Sequence, residues 1–207
     1  MSWHPQYAVH PAIAYSQSVI ASMPERTGRS MEDWVRLALS EGPGDERACR
    51  DWLRATYKLG NTTASGIASF AHGDGRSRVD PDHYLRSAPA MVDAQYAGKK
   101  AHLRPIHDRA VQTVLELFPD VRIAPTKTTV PFYRAHVFAH VKASTQQRVD
   151  LGLSIRARQP PPNARIVDTG GAAKKDRITW RIPLGGPEEV DDLVRVCLQM
   201  AWEEAAG

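Results

Sequence analysis

Between Arg148 and Ile155 the sequence RVDLGLSI alternates without a break. Successive side chains of a strand point to opposite faces. Val149, Leu151, Leu153 and Ile155 therefore share one face, and Arg148, Asp150, Gly152 and Ser154 share the other. A strand of this kind needs neighbours along both edges and an apolar layer over one side. The wider stretch Thr126 to Ile155 supplies neighbours. His136 to Lys142 is separated from Arg148 by a short polar loop, so the two segments read as an antiparallel hairpin.

Further strand patterns surround the hairpin. Val121 to Ala124 and Thr128 to Tyr133 precede it, with Pro131 implying an edge position or a bulge. Arg165 to Thr169 follows, closed by a Gly170-Gly171 turn. Arg177 to Pro183 alternates again, with Ile178, Trp180 and Ile182 expected inward and Arg177, Thr179 and Arg181 outward. Two helical stripes flank the strands. Leu103, Ile106, Ala110, Val111, Val114, Leu115 and Phe118 recur at helical spacing, as do Val190, Leu193, Val194, Cys197, Leu198, Ala201 and Trp202. The second helix is expected to open at Gly186-Pro187, with Glu188 and Glu189 on its positive N-terminal dipole. A sheet with one apolar face and two amphipathic helices make a two-layer α+β domain with a mainly antiparallel sheet.

The N-terminal third reads differently. Residues 1–11, with Pro5 and Pro11, form an extended arm, and Ala12 to Met23 a helix that Pro24 ends. Ser30 caps a second helix, with Asp33 placed as in a capping box, and Asp45 caps a third. Gly60 stands where a left-handed C-terminal residue is wanted. Asn61 or Thr62 opens a short fourth helix striped by Ala64, Ile67, Ala68 and Ala71. The chain thus divides into a small all-α unit with its arm at 1–71, a linker at 72–83 and the α+β domain at 84–207. A helix-turn-helix reading of residues 46–70 is left as a minor alternative to simple packing by the character of the second helix. Its run TTASGIASFA offers no Arg, Lys, Asn or Gln to base edges.

Composition narrows the class. An apolar fraction of 42% and a charged fraction of 24% are those of a soluble globular protein. No run approaches the roughly eighteen apolar residues of a membrane span, and the N-terminus lacks the pattern of a secretory signal. Cys49 and Cys197 each fall in an apolar stripe, as buried thiols in a reducing cytoplasm would. Charge is segregated along the chain. Residues 120–183 carry 12 Lys/Arg against 4 Asp/Glu, whereas residues 184–207 carry 1 against 6. A local excess of this kind hints at an anionic partner.

Chemistry-bearing motifs are absent. The sequence has no G-x-S-x-G, C-x-x-C or H-E-x-x-H, and nothing implies a cofactor or a metal. Gly170-Gly171 with Lys174-Lys175 runs into a strand, not into the helix a phosphate loop requires. The acids and histidines of His72 to His83 lack calcium-loop spacing. His136 and His140 would converge on a helix, but on a strand they stand roughly 13 Å apart.

Two stretches carry a resemblance. PERTGRSMEDWVRLALSEGPGDERACRDWL followed by LGNTTASGIA resembles the bacterial family called domain of unknown function 4287, with Phe70-Ala71 standing where that family often has a more charged helix end. KTTVPFYRAHVFAHVKASTQQRVDLGL, then DTGGAAKKDRITWRIPL, resembles the family called domain of unknown function 5655. Together they span about residues 20–72 and 85–204. The resemblance implies the domain division and assigns no activity and no site residues.

One surface brings charge and aromatic side chains together. With the helices over the apolar face, the other face of the sheet is expected to present Lys142, Arg148, Asp150, Arg177 and Arg181. Phe138 and His140 alternate in register with Lys142, and Tyr133 lies near. Cations around an exposed ring suit a nucleic acid or an anionic small molecule. The sequence thus favours a non-catalytic binding module. The alternatives are a small enzyme with Asp150 as base among cations, and a protein–protein accessory domain, with self-association open to either.

Overall fold

The computed structural model describes residues 3–206. Its chain divides into two compact units, Val9–Ser87 and the remainder on either side.

The first unit is helical. α1 (Ala12–Ala21), α2 (Met23–Thr27), α3 (Met31–Glu41), α4 (Glu46–Tyr57) and α5 (Asn61–His72) follow in order. Two caps form as the sequence expects. Ser30 Oγ accepts from the Asp33 amide at 3.1 Å, and Asp45 Oδ1 accepts from the Ala48 amide at 2.9 Å. Three boundaries differ. Pro24 sits in the first turn of α2 and starts that helix instead of ending α1, since a proline there forgoes no intrahelical bond. The left-handed residue closing α4 is Lys58, at φ 56°, while Gly60 at φ −62° opens α5. The run 72–83, expected as a solvated linker, carries a 3-10 turn at Gly75–Arg78 with Gly75 and Ser77 buried. Its acids serve the backbone there. Asp74 accepts from the Ser77 amide, and Asp80 from the amides of Asp82 and His83. The core is Met23, Trp34, Ala38, Cys49, Leu53, Ala64, Ile67 and Ala68. Trp34 stands edge-on to Tyr57 at 5.1 Å between ring centroids, and its indole N–H reaches Thr27 Oγ1 at 2.8 Å.

α6 (Pro81–Gln95) runs through the division, which falls after Ser87. The second unit then comprises α7 (Arg104–Leu117), six strands and α8 (Asp192–Glu204). The strands are β1 (Arg122–Ile123), β2 (Val130–Tyr133), β3 (Val137–Lys142), β4 (Val149–Leu153), β5 (Val167–Asp168) and β6 (Trp180–Leu184). They form one fully antiparallel sheet in the order β1-β2-β3-β4-β6-β5. Residues 3–8 belong to this unit, not to the helical one, and Ala8 donates its amide to the Ile123 carbonyl at 2.8 Å.

One face of the sheet carries the apolar members of the cross-strand pairs. Val130 faces Val141, Leu151 faces both Val141 and Ile182, and Val149 faces Leu184. These pack with Ile106, Ala110, Val111 and Val114 of α7 and with Val194, Cys197, Leu198 and Ala201 of α8. The fold is therefore the two-layer α+β arrangement that the alternation in β4 demands. α8 starts later than expected. Pro187–Glu189 form a 3-10 turn, and the helix is capped by Asp191, whose Oδ1 accepts from the Val194 amide. Among the described residues no helix is long and apolar enough to cross a membrane.

Candidate anion-binding groove

The uncovered face of the sheet is a concavity of about 520 Å³. Its floor comes from three adjacent strands. On β3 and β4, His140 faces Gly152 and Lys142 faces Asp150; on β6, Arg181 faces Gly152 from the other side. Its walls come from the loop after β3, through Ser144, Thr145 and Arg148, and from the segment between β5 and β6, through Thr169, Asp176 and Ile178.

Asp150 organises the floor. Its carboxylate is buried, with the side chain 8% exposed, and each oxygen is engaged by a different guanidinium. Arg148 Nε donates to Oδ1 at 2.9 Å, and Arg181 Nη1 donates to Oδ2 at 3.4 Å. Both arginine side chains are 37% exposed, so they bridge from the buried acid to the groove. Lys142 is exposed and meets no acid among the described residues.

Gly152 sets the depth. A Cβ there would stand 2.6 Å from His140 Nε2 and 2.9 Å from Ile178 Cγ2, so both side chains close over the bare backbone of β4. A glycine inside a strand commonly marks such a close approach. Burial pushes the His140 imidazole below its usual pKa, and the neighbouring Lys142 charge pushes it the same way, against the opposing pull of Asp176 and Asp150. His140 therefore enters the groove as a neutral ring at neutral pH.

The structure brings together five of the expected site residues: Lys142, Arg148, Asp150, Arg181 and His140. It separates the other three. Phe138 is fully buried in the core and not on the polar face. The cause is a β-bulge. Phe132 pairs with Ala139 but Tyr133 pairs with Val137, leaving Phe138 as the extra residue on β3. A bulge breaks the strict alternation of faces, and the Phe138 ring turns to Phe118 and Trp202, at centroid distances of 5.5 and 5.2 Å. Tyr133 is half-buried opposite Arg122 of β1 and does not line the groove. Arg177 is exposed and also lies outside it. Ile178, expected in the core, stands in the groove instead, because β6 begins only at Trp180 and the preceding residues follow a turn held by Thr169. His136 is exposed on the far side of the bulge from His140, and no group of described residues forms a metal cluster.

The basic character of residues 120–183 is only partly a surface property. Arg158 pairs with Glu203 and Glu204 of α8, and Arg165 pairs with Asp191. Arg134 lies 4.7 Å from the Trp202 ring centroid and donates to the Trp202 carbonyl. In the groove, by contrast, Arg148 and Arg181 share one buried acid, Asp150, and Lys142 pairs with none among the described residues.

No curated protein and no solved structure matches the chain. Residues 16–72 match the model of the family described as domain of unknown function (DUF4287), close to the stretch whose motifs resembled it. Residues 92–205, which hold the whole sheet, α7, α8 and the groove, match the family described as domain of unknown function (DUF5655), and with more than half of its length matched the chain belongs to that family.

Proposed function

We propose that the second unit is a binding module for a small anionic ligand, received in the groove between β3, β4 and β6. The observation that carries this reading is the anchoring of Arg148 and Arg181 on the two oxygens of one buried carboxylate. Guanidiniums fixed in this way present their remaining N–H donors without the entropy loss of ordering free side chains. A volume of about 520 Å³ falls in the range of small-molecule sites.

Two observations weigh against the other readings. A general base must be reached by the proton it takes, and the Asp150 side chain is only 8% exposed, with a guanidinium on each oxygen. Single-stranded nucleic acid is commonly held by rings that stack on bases, and Phe138 belongs to the core while Tyr133 lies outside the groove. The test is thermal unfolding of the full chain in phosphate, sulfate and citrate against chloride at equal ionic strength. A ligand that binds only the folded state raises Tm by mass action. Stabilisation is expected in the parent and absent in the Arg148→Gln/Arg181→Gln double variant. Equal responses of the two proteins would refute the reading, since a general salt effect acts on both.

A further inference from the structure

Resting on the groove as an anion site, we infer that its ligand is a phosphate monoester with a compact organic body. The argument begins with the unused donors. Arg148 spends Nε on Asp150, and its two terminal nitrogens meet no acceptor among the described residues. Arg181 spends Nη1 and keeps Nη2, which meets no acceptor among the described residues; its Nε is also without a partner but buried away from the groove. Lys142, the cross-strand partner of Asp150, adds an ammonium group. The donors thus come from β3, from the residue before β4 and from β6, and all three side chains line the one groove.

Geometry and charge select the anion. A carboxylate is planar and offers one charge, which a single guanidinium satisfies by a two-pronged contact. A phosphate monoester offers three terminal oxygens in a tetrahedral array and a charge of about −1.5 to −2 at neutral pH. Lys142, Arg148 and Arg181 set against Asp150 leave the floor with a formal excess of two positive charges, and the exposed Asp176 lowers the excess of the whole lining to one. A phosphodiester offers only two terminal oxygens to the three cations. The second charged acid of the groove, Asp176, sits exposed at the rim, where its Oδ1 is taken by the Ile178 amide.

The volume asks for more than the phosphate. The groove is many times the roughly 30 Å³ share of one water molecule. Ile178 and the neutral His140 ring close over Gly152 beside the cations and give that part of the groove its least polar surface. The body of the ester lies there, and the phosphate between the two arginines and Lys142.

Isothermal titration of the full chain at low salt separates the possibilities, using phenyl phosphate, inorganic phosphate, benzoate and a short oligothymidylate. Phenyl phosphate and benzoate share a ring and differ in the anion. Phenyl phosphate is expected to bind at least ten-fold more tightly than benzoate and more tightly than inorganic phosphate. Its affinity should fall at least ten-fold in Arg148→Gln and in Arg181→Gln. Lys142→Gln, at an exposed position that keeps the fold, should weaken it several-fold, and Arg177→Gln, outside the groove, should leave it unchanged. Benzoate equal to or better than phenyl phosphate overturns the phosphate assignment and leaves the anion site standing. Oligothymidylate alone binding overturns it in favour of nucleic acid. Loss of affinity in Arg177→Gln equal to that in Lys142→Gln shows diffuse charge and overturns the site. If none of the four probes binds, both this inference and the reading beneath it fall.

Discussion

Replacing Phe138 by alanine tests the placement on which the sidedness of the sheet depends. The ring is fully buried and meets Phe118 edge-on at 5.5 Å, Trp202 edge-on at 5.2 Å and Phe132 at 6.3 Å. Truncating a buried phenylalanine costs about 3–5 kcal/mol, through lost transfer energy and the cavity left behind. The edge-to-face contacts place this site toward the middle or top of that range, about 4 kcal/mol. At roughly 3–4 °C per kcal/mol for a unit of this size, Tm should fall by roughly 12–16 °C. Phe138→Leu keeps most of the volume and should cost only about 1–1.5 kcal/mol. Because the chain has two units, one melting curve need not be two-state. Hydrogen exchange of the β3 and β4 amides in urea reports the sheet unit separately. Anion affinity should stay within two-fold, since the ring lies across the sheet from the groove. A loss below about 0.5 kcal/mol, the scale of an exposed substitution, accompanied by a loss of anion binding would return Phe138 to the polar face and refute the bulge argument.

Two further outcomes are expected. Burial lowers the pKa of His107 from 6.5 to about 3, with the Arg104 charge adding to the effect, and the ring accepts or donates at Nδ1 to the Tyr96 hydroxyl at 3.2 Å. Because the folded pKa lies below the unfolded one, the unfolded chain binds the extra proton first. Stability therefore falls as pH drops from about 6.5 toward 3, by on the order of 4 kcal/mol, and urea titrations from pH 7 to pH 4 should show a shallower decline in His107→Gln. Glu204 accepts from the amides of Arg156 and Ala157 at 2.7 and 3.0 Å and from Arg158. Glu204→Ala should cost about 1–2 kcal/mol and speed hydrogen exchange at those two amides, whereas unchanged exchange would show that the loop is held by other contacts.

The sheet was legible because its pattern is strict. Three alternating residues in β4, with Ile155 just beyond it, specify a buried face, and that face specifies a covering layer, which the stripes of α7 and α8 match. Helix starts with a capping side chain were legible for the same local reason, as at Ser30 and Asp45. What failed were features decided between segments. The bulge at Phe138 arises from how β2 and β3 pair, and nothing in VFAHVK announces it. Ile178 looked like a core residue because periodicity was extended backward past the true start of β6 at Trp180. Gly152 was the overlooked signal. A glycine in the middle of an otherwise regular strand pointed to the close approach of His140 and Ile178 and to the deepest part of the groove.

Charge shows the same division between local and global. The excess of cations in residues 120–183 is matched in sequence by an excess of acids in residues 184–207, and the pairs of Arg158 and Arg165 with Glu203, Glu204 and Asp191 engage half of those acids but only two of the twelve cations. Linear segregation of charge is thus in part an account of how the strand region and α8 hold together. The groove differs in arrangement, not in amount. A buried ion pair is seldom a better stabiliser than apolar side chains of similar volume, because desolvating the charges offsets their attraction. Leucine at position 150 would serve packing at least as well. What an apolar residue could not do is hold two guanidiniums at fixed positions with donors left over. On the proposed reading, the burial of Asp150 serves to hold the two guanidiniums ready for an incoming negative charge, and not chiefly to add stability.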